Sequence, residues 1–374
     1  MKTSKFLRLS FVVVFAVSFL VACESNPDVN SHEDLLPSSF RVDIPSSISY
    51  AESNGRISTH GRRKDDTLSG NDMYKHLGTF IAVGKGASQL VEAFIEGIRK
   101  HHINRVMTIT FQSDDDGRVK NLVVTRDVTF ESQNWDYSLT ITDADSEAEA
   151  DGGKALQLFW NKDANVTGIA IIKPYNCDRT ENANAPDAVF RIDYTEGGTD
   201  YDQQMEVTIS GLPLGNPATD PFAMSTLKMF AGKNGDVIDV YGNSNHPNAT
   251  LFGSGSTGFN WAFVASSNRN ENIGVAEVGL PPSALDSDDR EVLLKEYSIK
   301  NVFTAEITAA WPNIDQEKLD AYLSNIKAPG YFNHGGFVSG GTSPGAAWEA
   351  LATRLNDLSP YNPKDVSNLE IIFQ

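Results

Sequence analysis

Between residues 103 and 211, apolar and polar side chains alternate in a series of short runs. Successive side chains of a β-strand point to opposite faces of a sheet, so each run predicts a strand with one apolar and one polar face. Turn residues separate the runs and no helical pattern intervenes, which favours an antiparallel meander. The run 166–172 is apolar on both faces, which predicts a central or covered strand. The apolar positions of the clearest runs are Met107, Ile109 and Phe111; Trp135, Tyr137, Leu139 and Ile141; Leu156, Leu158 and Trp160; Phe190, Ile192 and Tyr194; and Met205, Val207 and Ile209.

Other parts of the chain show the spacing of amphipathic helices. We expect helix over residues 71–102, in two segments joined near residues 84–86, and a short helix within 221–232. Two apolar stripes in the last ninety-odd residues predict further helices. Additional strands are predicted at 236–241, 249–252, 259–265, 273–278 and 369–373.

An apolar sheet face must be covered, and the amphipathic helices are the available cover. The fold class is therefore predicted as α+β: a broad antiparallel β-meander sheet with helices packed on one face. A β-sandwich or barrel with peripheral helices is the alternative. No linker divides the strand region, so residues 71–374 are expected to form a single α+β body. Residues 23–70, rich in Ser, Asn, Asp, Gly and Pro, predict a flexible tether that includes a possible first strand at 40–45.

The first 23 residues have a pattern of their own. Basic residues come first, an apolar run over 11–21 follows, and Ala22 precedes Cys23. The run is short for a membrane span and suits the core of a signal peptide. Leu20 to Cys23 resembles the lipobox of bacterial lipoproteins. The resemblance implies that residues 1–22 are a signal peptide and that Cys23 is acylated; an uncleaved anchor or a signal peptide without lipid is the alternative.

The resemblance covers this segment only, and it also bears on location. Position 24 is Glu rather than Asp, which in the sorting pattern of such lipoproteins favours the outer membrane. The expected location is therefore the cell envelope, with the membrane as a partner through the lipid anchor. Loss of residues 1–22 lowers the formal charge from −18 to −21, because they contain three basic and no acidic residues. Such an acidic chain is not expected to bind nucleic acid.

Several short motifs resemble chemical sites. The stretch 253–258, GSGSTG, matches a dinucleotide-binding pattern, but an alternating strand pattern follows it, so a hairpin loop is predicted. The acidic run 143–151 resembles the start of a calcium loop, yet it has Ala148 where such loops need glycine. It is interpreted as a solvated loop, with a weak calcium site as the alternative. The stretch 341–345, GTSPG, lacks a backbone donor after its serine, and the tract 335–341 is interpreted as a mobile loop.

No cofactor, no metal site and no catalytic residue is predicted, and Cys177 is interpreted as a buried, inert thiol. The residues proposed for ligand binding are aromatic residues on the apolar faces of strands: Trp135, Tyr137, Trp160 and Trp261. They favour a non-catalytic, lipid-anchored protein that binds an apolar or amphipathic ligand or a partner protein of the envelope. The alternatives are a structural or assembly lipoprotein of the outer membrane and a hydrolase acting on envelope polymers.

Overall fold

The computed structural model describes residues 39–49, 70–100, 106–161, 166–217, 220–324 and 326–374. Its main feature is a sheet of 13 strands in which every strand pairs with the next along the chain. All of these pairings are antiparallel. The prediction of a broad antiparallel meander is therefore confirmed.

Strands follow one another along the chain. The strands are β1 (Met107–Gln112), β2 (Val119–Phe130), β3 (Gln133–Asp143), β4 (Lys154–Asn161), β5 (Thr167–Ile172), β6 (Val189–Glu196), β7 (Gln203–Ser210), β8 (Thr226–Asn234), β9 (Val237–His246), β10 (Phe259–Asn268), β11 (Ile273–Gly279), β12 (Gly330–Asn333) and β13 (Gly336–Gly340). The helices are α1 (Gly70–Lys100), α2 (Pro174–Cys177), α3 (Ile299–Ala310), α4 (Gln316–Leu323), α5 (Ala346–Arg354) and α6 (Pro363–Ser367). Helices α3 and α4 lie in the connection from β11 to β12.

The two faces of the sheet bury different sets of residues. The main apolar cluster includes side chains of strands β2 to β12 together with apolar residues of α1, α3 and α4. We call the face that carries this cluster the inner face. The opposite, outer face carries two smaller apolar clusters, one on β9–β12 that includes leucines of α5 and the turn after it, and one on β2–β5.

Helix α1 is one continuous helix of 31 residues, so the prediction of two segments joined near residues 84–86 is wrong. Gly84 does not interrupt the helix but lets it pack closely against strand β8. A Cβ atom at this position would lie 2.5 Å from Cε of Met229 on β8. A Cβ atom on Gly86, in contrast, would meet nothing within 4 Å.

The stretch 221–232, predicted as a short helix, contains strand β8. Leu227, Met229 and Ala231 alternate into the main cluster, so the period of two outweighs the helix-like spacing of the larger apolar residues. Strand β8 pairs with β7 on one side and with β9 on the other, which satisfies its backbone groups.

Three other local predictions also differ from the structure. The glycine-rich tract 335–341, predicted as a mobile loop, contains strand β13. Residues 249–252 and 369–373, predicted as strands, are not part of the sheet. A strand needs a neighbour to satisfy its backbone, and side-chain alternation alone does not show whether one is available.

The predicted signal peptide, Cys23 and most of the predicted tether lie outside the described residues. The part of the tether that is described, residues 39–49, does not form the predicted strand at 40–45; it ends in a turn at 46–48 and buries Phe40, Val42 and Ile44 completely. Phe40 stacks on Tyr194 with the ring centroids 5.5 Å apart. Among the described residues, no helix has the length and apolar character needed to cross a membrane.

Candidate functional site

The structure does not bring the four predicted ligand-binding aromatic residues together in one pocket. Tyr137 and Trp160 stack with their centroids 5.4 Å apart, and Arg126 lies 4.9 Å from the centroid of the Tyr137 ring. Trp160 and Trp261 are at most 1 % exposed and belong to the main cluster. Trp135, 3 % exposed, belongs to the outer cluster on β2–β5.

On β3, Trp135 lies in the outer cluster, whereas Tyr137, two residues further on, packs against the main cluster. The partner of Trp135 on β2 is Val128, whereas Arg126 pairs with Tyr137. Between the two β2 residues lies Asp127, with a φ of 53°. A left-handed residue within a strand disturbs the alternation of side chains between the two faces. The sequence shows unbroken alternation here and does not reveal this change.

The inner face contains a serine–histidine pair that sequence analysis did not single out. Ser244 and His246 lie two residues apart on β9, and Ser244 Oγ is 2.8 Å from His246 Nε2. His246 Nδ1 lies 2.8 Å from the carbonyl oxygen of Phe222, which can only accept. The ring is therefore protonated on Nδ1, and the serine hydroxyl donates to Nε2.

This pair lacks the access and the basicity that catalysis requires. Both residues are 0 % exposed, and the histidine ring lies 4.5 Å from the rings of Phe80 and of Trp261. Burial lowers the pKa of His246 to about 3, against a smaller opposing effect of its bond to Phe222. A base of such low pKa is poorly matched to general-base catalysis near neutral pH. We interpret the pair as a satisfied polar contact within the core.

The acidic loop identified in the sequence, 143–151, binds cationic side chains of the same chain. The carboxylate of Asp143, 0 % exposed, accepts bonds from Arg118 Nε at 2.6 Å and Lys120 Nζ at 3.2 Å, and Arg179 Nε lies 3.4 Å away. Burial opposes its ionisation, but the bonds to Arg118 and Lys120 prevail and lower the pKa of Asp143. Lys120 also binds Asp116 at 3.2 Å.

A second part of the same network joins the loop after β3 to the loop after β5. Lys173 Nζ lies 2.6 Å from Asp151, whose carboxylate also accepts a bond from Asn176 at 3.0 Å. Oxygen atoms that a calcium ion would need at 143–151 are therefore already bound to lysine and arginine side chains. Among the described residues, no group of three or more His, Cys, Asp and Glu side chains is arranged to hold a metal ion.

Two other sequence motifs can be placed. The loop 253–258 leads into strand β10 at Phe259, as predicted. The Cys177 thiol lies 3.5 Å from the carbonyl oxygen of Ala155. Part of this residue's surface is accessible, but its sulfur lies among protein atoms, and burial raises the pKa of the thiol to about 12. A thiol with such a pKa is a poor nucleophile at neutral pH.

The strongest candidate site is a group of aromatic rings on the outer face, here called the outer aromatic cluster: Tyr201, Phe230, Tyr241 and Tyr361. Phe230 and Tyr241 face each other across β8 and β9, stacked at 4.7 Å. Tyr201 lies 5.3 Å from Phe230, and Tyr361 lies 5.4 Å from Tyr241. All four are partly exposed.

Charged side chains fix the two ends of this cluster. At one end the Tyr361 hydroxyl donates to Glu206 at 2.6 Å, Lys228 Nζ binds the same carboxylate at 3.1 Å, and this ammonium lies 4.6 Å from the Tyr361 ring centroid. At the other end the Tyr201 hydroxyl donates to Asp239 at 3.2 Å, and Arg354 Nε binds that carboxylate at 3.2 Å.

The backbone of β8 allows the ring of Tyr201 to lie against the sheet. A Cβ atom on Gly232 would come within 2.6 Å of the Tyr201 ring, so only glycine leaves room for it. Burial, followed by the neighbouring carboxylates, raises the pKa of Tyr201 and of Tyr361, so both hydroxyls remain donors at neutral pH. The cluster thus presents preorganised rings with fixed polar groups between them.

Sequence analysis missed the outer aromatic cluster, although a signal was available. Phe230 and Tyr241 occupy positions on strands that point away from the main cluster, where an aromatic residue is unexpected. The interpretation of 221–232 as a helix concealed the position of Phe230. Tyr201 and Tyr361 lie outside strands, and no pattern in the sequence connects them to β8 and β9.

Comparison with known proteins adds no relative: no protein-family model matches the chain, and no match was found among curated proteins or solved structures.

Proposed function

We propose that the chain is a lipid-anchored protein of the bacterial cell envelope that binds a partner protein through the outer aromatic cluster and does not catalyse a reaction. The observation that carries this proposal is the partly exposed row of four rings held in place by Glu206 and Asp239. Tyrosine, phenylalanine and arginine are enriched in protein interfaces and among their energetically dominant residues. Rings that are fixed before binding lose little conformational entropy when a partner docks.

The inner face is a less suitable site for a ligand. We propose that α1, α3 and α4 form the helical cover of this face, supported by their apolar residues in the main cluster. The T-shaped contact of Phe80 with Trp261, at 5.4 Å, is one such contact between α1 and β10. A ligand beneath the helices would have to displace packed side chains, whereas the outer aromatic cluster is already accessible.

Hydrolysis of envelope polymers has less support. A carboxylate pair in a glycosidase must reach the substrate. In the outer aromatic cluster the carboxylate of Asp239 is 2 % exposed and bound to Arg354. Glu206 is bound to Lys228 and Tyr361. Both carboxylates therefore position their neighbours instead of facing a substrate.

The lipid anchor can be tested by replacing Cys23 with serine. The lipobox proposal predicts that the variant loses its acyl chains and leaves the membrane fraction, because more than one chain is needed for stable anchoring. The measurement is fractionation of cells expressing each protein, with mass spectrometry of the mature N-terminus. A variant that remains in the membrane fraction at unchanged mass would refute the anchor.

The docking surface can be tested by photo-cross-linking in cells. A photoreactive residue at the exposed position 200, next to Tyr201, lies at the edge of the outer aromatic cluster, and one at the exposed position 318 on α4 is the control. We expect a discrete cross-linked species from position 200 only. Tyr241→Ala should then lower its yield about tenfold, the effect of losing an interface residue worth about 1–2 kcal/mol.

The matched control for that substitution is Tyr137→Ala, which removes a partly exposed tyrosine of β3 elsewhere in the fold. It should leave the cross-link unchanged, provided both variants keep a cooperative thermal transition. If Tyr137→Ala abolished the cross-link and Tyr241→Ala left it unchanged, the binding site would instead be at the aromatic residues predicted from the sequence. No cross-link from position 200 would refute the proposal.

A further inference from the structure

A short segment of the chain itself packs against the outer cluster on β2–β5. We call the apolar surface beneath this segment, defined by Phe130, Trp135, Phe159, Ile169 and Ile171, the outer groove. We call residues 369–374 the strap. Ile371 and Phe373 of the strap pack against the outer groove, whereas Ile372 between them is 67 % exposed.

The strap is held by side chains and not by a β-ladder. Its residues belong to no strand, and β2 to β5 already pair with each other beneath it. Two hydrogen bonds fix its last residue: Gln374 N donates to Gln157 Oε1 at 2.7 Å, and Gln374 Nε2 donates to the carbonyl of Thr129 at 3.1 Å. Without a backbone ladder, the segment can leave the sheet without breaking any strand pairing.

The outer groove carries a polar group suited to a polypeptide. Gln157, on β4, is 4 % exposed and aims its carbonyl oxygen at a backbone N–H of the strap. If the strap left, this acceptor and the apolar side chains that Ile371 and Phe373 cover would become accessible to water. An exposed apolar surface with one oriented backbone acceptor matches an extended polypeptide better than a small apolar ligand.

We propose that the outer groove is a second binding surface, whose partner is an extended polypeptide segment with apolar side chains two residues apart. The strap occupies the groove in the manner of this partner and competes with it. The chemistry of the partner follows from the strap: Ile371 and Phe373 enter the groove, the residue between them faces water, and a backbone N–H meets Gln157. This inference does not depend on the outer aromatic cluster.

The test uses a fluorescent peptide with the sequence of residues 367–374 as the probe, and measures its anisotropy with the full chain. In the unmodified chain the strap is tethered beside the groove, so its high effective concentration keeps the probe out. The double variant Ile371→Ser/Phe373→Ser weakens the strap without changing the groove. We expect the probe to bind this variant at least tenfold more tightly than the unmodified chain.

Two controls accompany this measurement. Ile372→Ser changes a strap residue that faces water, so this variant should bind the probe as weakly as the unmodified chain. A probe with serine at the positions of Ile371 and Phe373 should bind none of the proteins. Equal binding of the original probe by the double variant and the unmodified chain would overturn the inference, as would tight binding of the serine probe.

A second measurement avoids dependence on how the double variant folds. A fluorinated phenylalanine placed at position 373 of the otherwise unmodified chain reports the environment of the ring by fluorine NMR. Probe added above the effective concentration of the tethered strap, on the order of millimolar, should shift the fluorine resonance to that of the free peptide as the strap leaves. A resonance that does not move would show the strap to be a fixed part of the fold. Tyr241→Ala should not affect either measurement, so failure here is distinct from failure of the proposed partner site.

Discussion

His246 offers a direct test of the buried polar contact on the inner face. Its ring is neutral, 0 % exposed and bound on both nitrogens, by Ser244 and by the carbonyl of Phe222. The substitution His246→Asn removes the titratable group and retains a donor near the position of Nδ1. We expect the variant to be less stable by roughly 2–4 kcal/mol at neutral pH, because it loses buried ring contacts.

The informative quantity is the dependence of stability on pH. Burial lowers the pKa of His246 from 6.5 to about 3 in the folded protein. Between these values the unfolded chain binds one proton more than the folded chain, so acid favours unfolding. The stability that the neutral His246 ring gives the folded protein is fully present above the pKa of histidine in the unfolded chain. It is lost as the pH falls towards the pKa of His246 in the folded protein. Each pKa unit corresponds to about 1.4 kcal/mol, so the histidine should account for about 2.5 kcal/mol between pH 7 and pH 4.5.

The assay is urea unfolding at half-unit steps from pH 4.5 to pH 7.5 for the unmodified protein and for His246→Asn. Carboxylates titrate in both proteins, so the difference between their free energies of unfolding at each pH reports the titration of the histidine alone. That difference should narrow by about 2.5 kcal/mol from pH 7 to pH 4.5. His334→Asn, at an exposed position of the β12–β13 hairpin, is the control and should run parallel to the unmodified protein. Parallel curves for His246→Asn would refute the reasoning.

Three further predictions concern stability and reactivity. Lys120→Met removes the ammonium group that binds the buried carboxylates of Asp116 and Asp143, so it should lower the free energy of unfolding in urea by about 3–5 kcal/mol. The control, Lys318→Met at an exposed position, should change the free energy of unfolding by less than about 0.5 kcal/mol. Gly84→Ala should give a protein less stable than Gly86→Ala by about 1–3 kcal/mol, because its Cβ would force the buried end of Met229, 2.5 Å away, to move. Gly86→Ala should stabilise by about 0.5–1 kcal/mol in the same assay, since its Cβ meets nothing within 4 Å. Cys177, with a thiol pKa of about 12, should react with a disulfide reagent at pH 8 at least about 100-fold faster in urea than in the folded protein; equal rates would contradict its burial.

The sheet was predictable because its strands obey a simple period. In β6, for example, Phe190, Ile192 and Tyr194 enter the main cluster, and the residues between them do not. The alternation therefore indicated both the strand and its buried side. It did not reveal where the alternation is interrupted, as at Asp127, since a left-handed residue leaves no mark in the hydrophobic pattern.

The run 166–172 shows what a pattern can and cannot establish. It is apolar on both faces, which correctly predicted that something covers both sides of β5. On the inner face Ala170 and Ile172 enter the main cluster, and on the outer face Ile169 and Ile171 meet the strap. The covering segment lies about 200 residues away in the chain. A contact between such distant segments is decided by tertiary packing, which local sequence does not encode.

The two proposed surfaces on the outer face use neighbouring stretches near residues 361 and 369 of the chain, and yet they should act independently. Tyr361 belongs to the outer aromatic cluster, the strap begins at residue 369, and α6 lies between them. Val366 of α6 is 0 % exposed, and its carbonyl accepts a bond from Thr226 Oγ at 2.7 Å. This buried contact fixes α6 to β8, so movement of the strap stops there. Displacement of the strap should therefore leave the bond of Tyr361 to Glu206 in place, and the partner of one surface can bind without releasing the partner of the other.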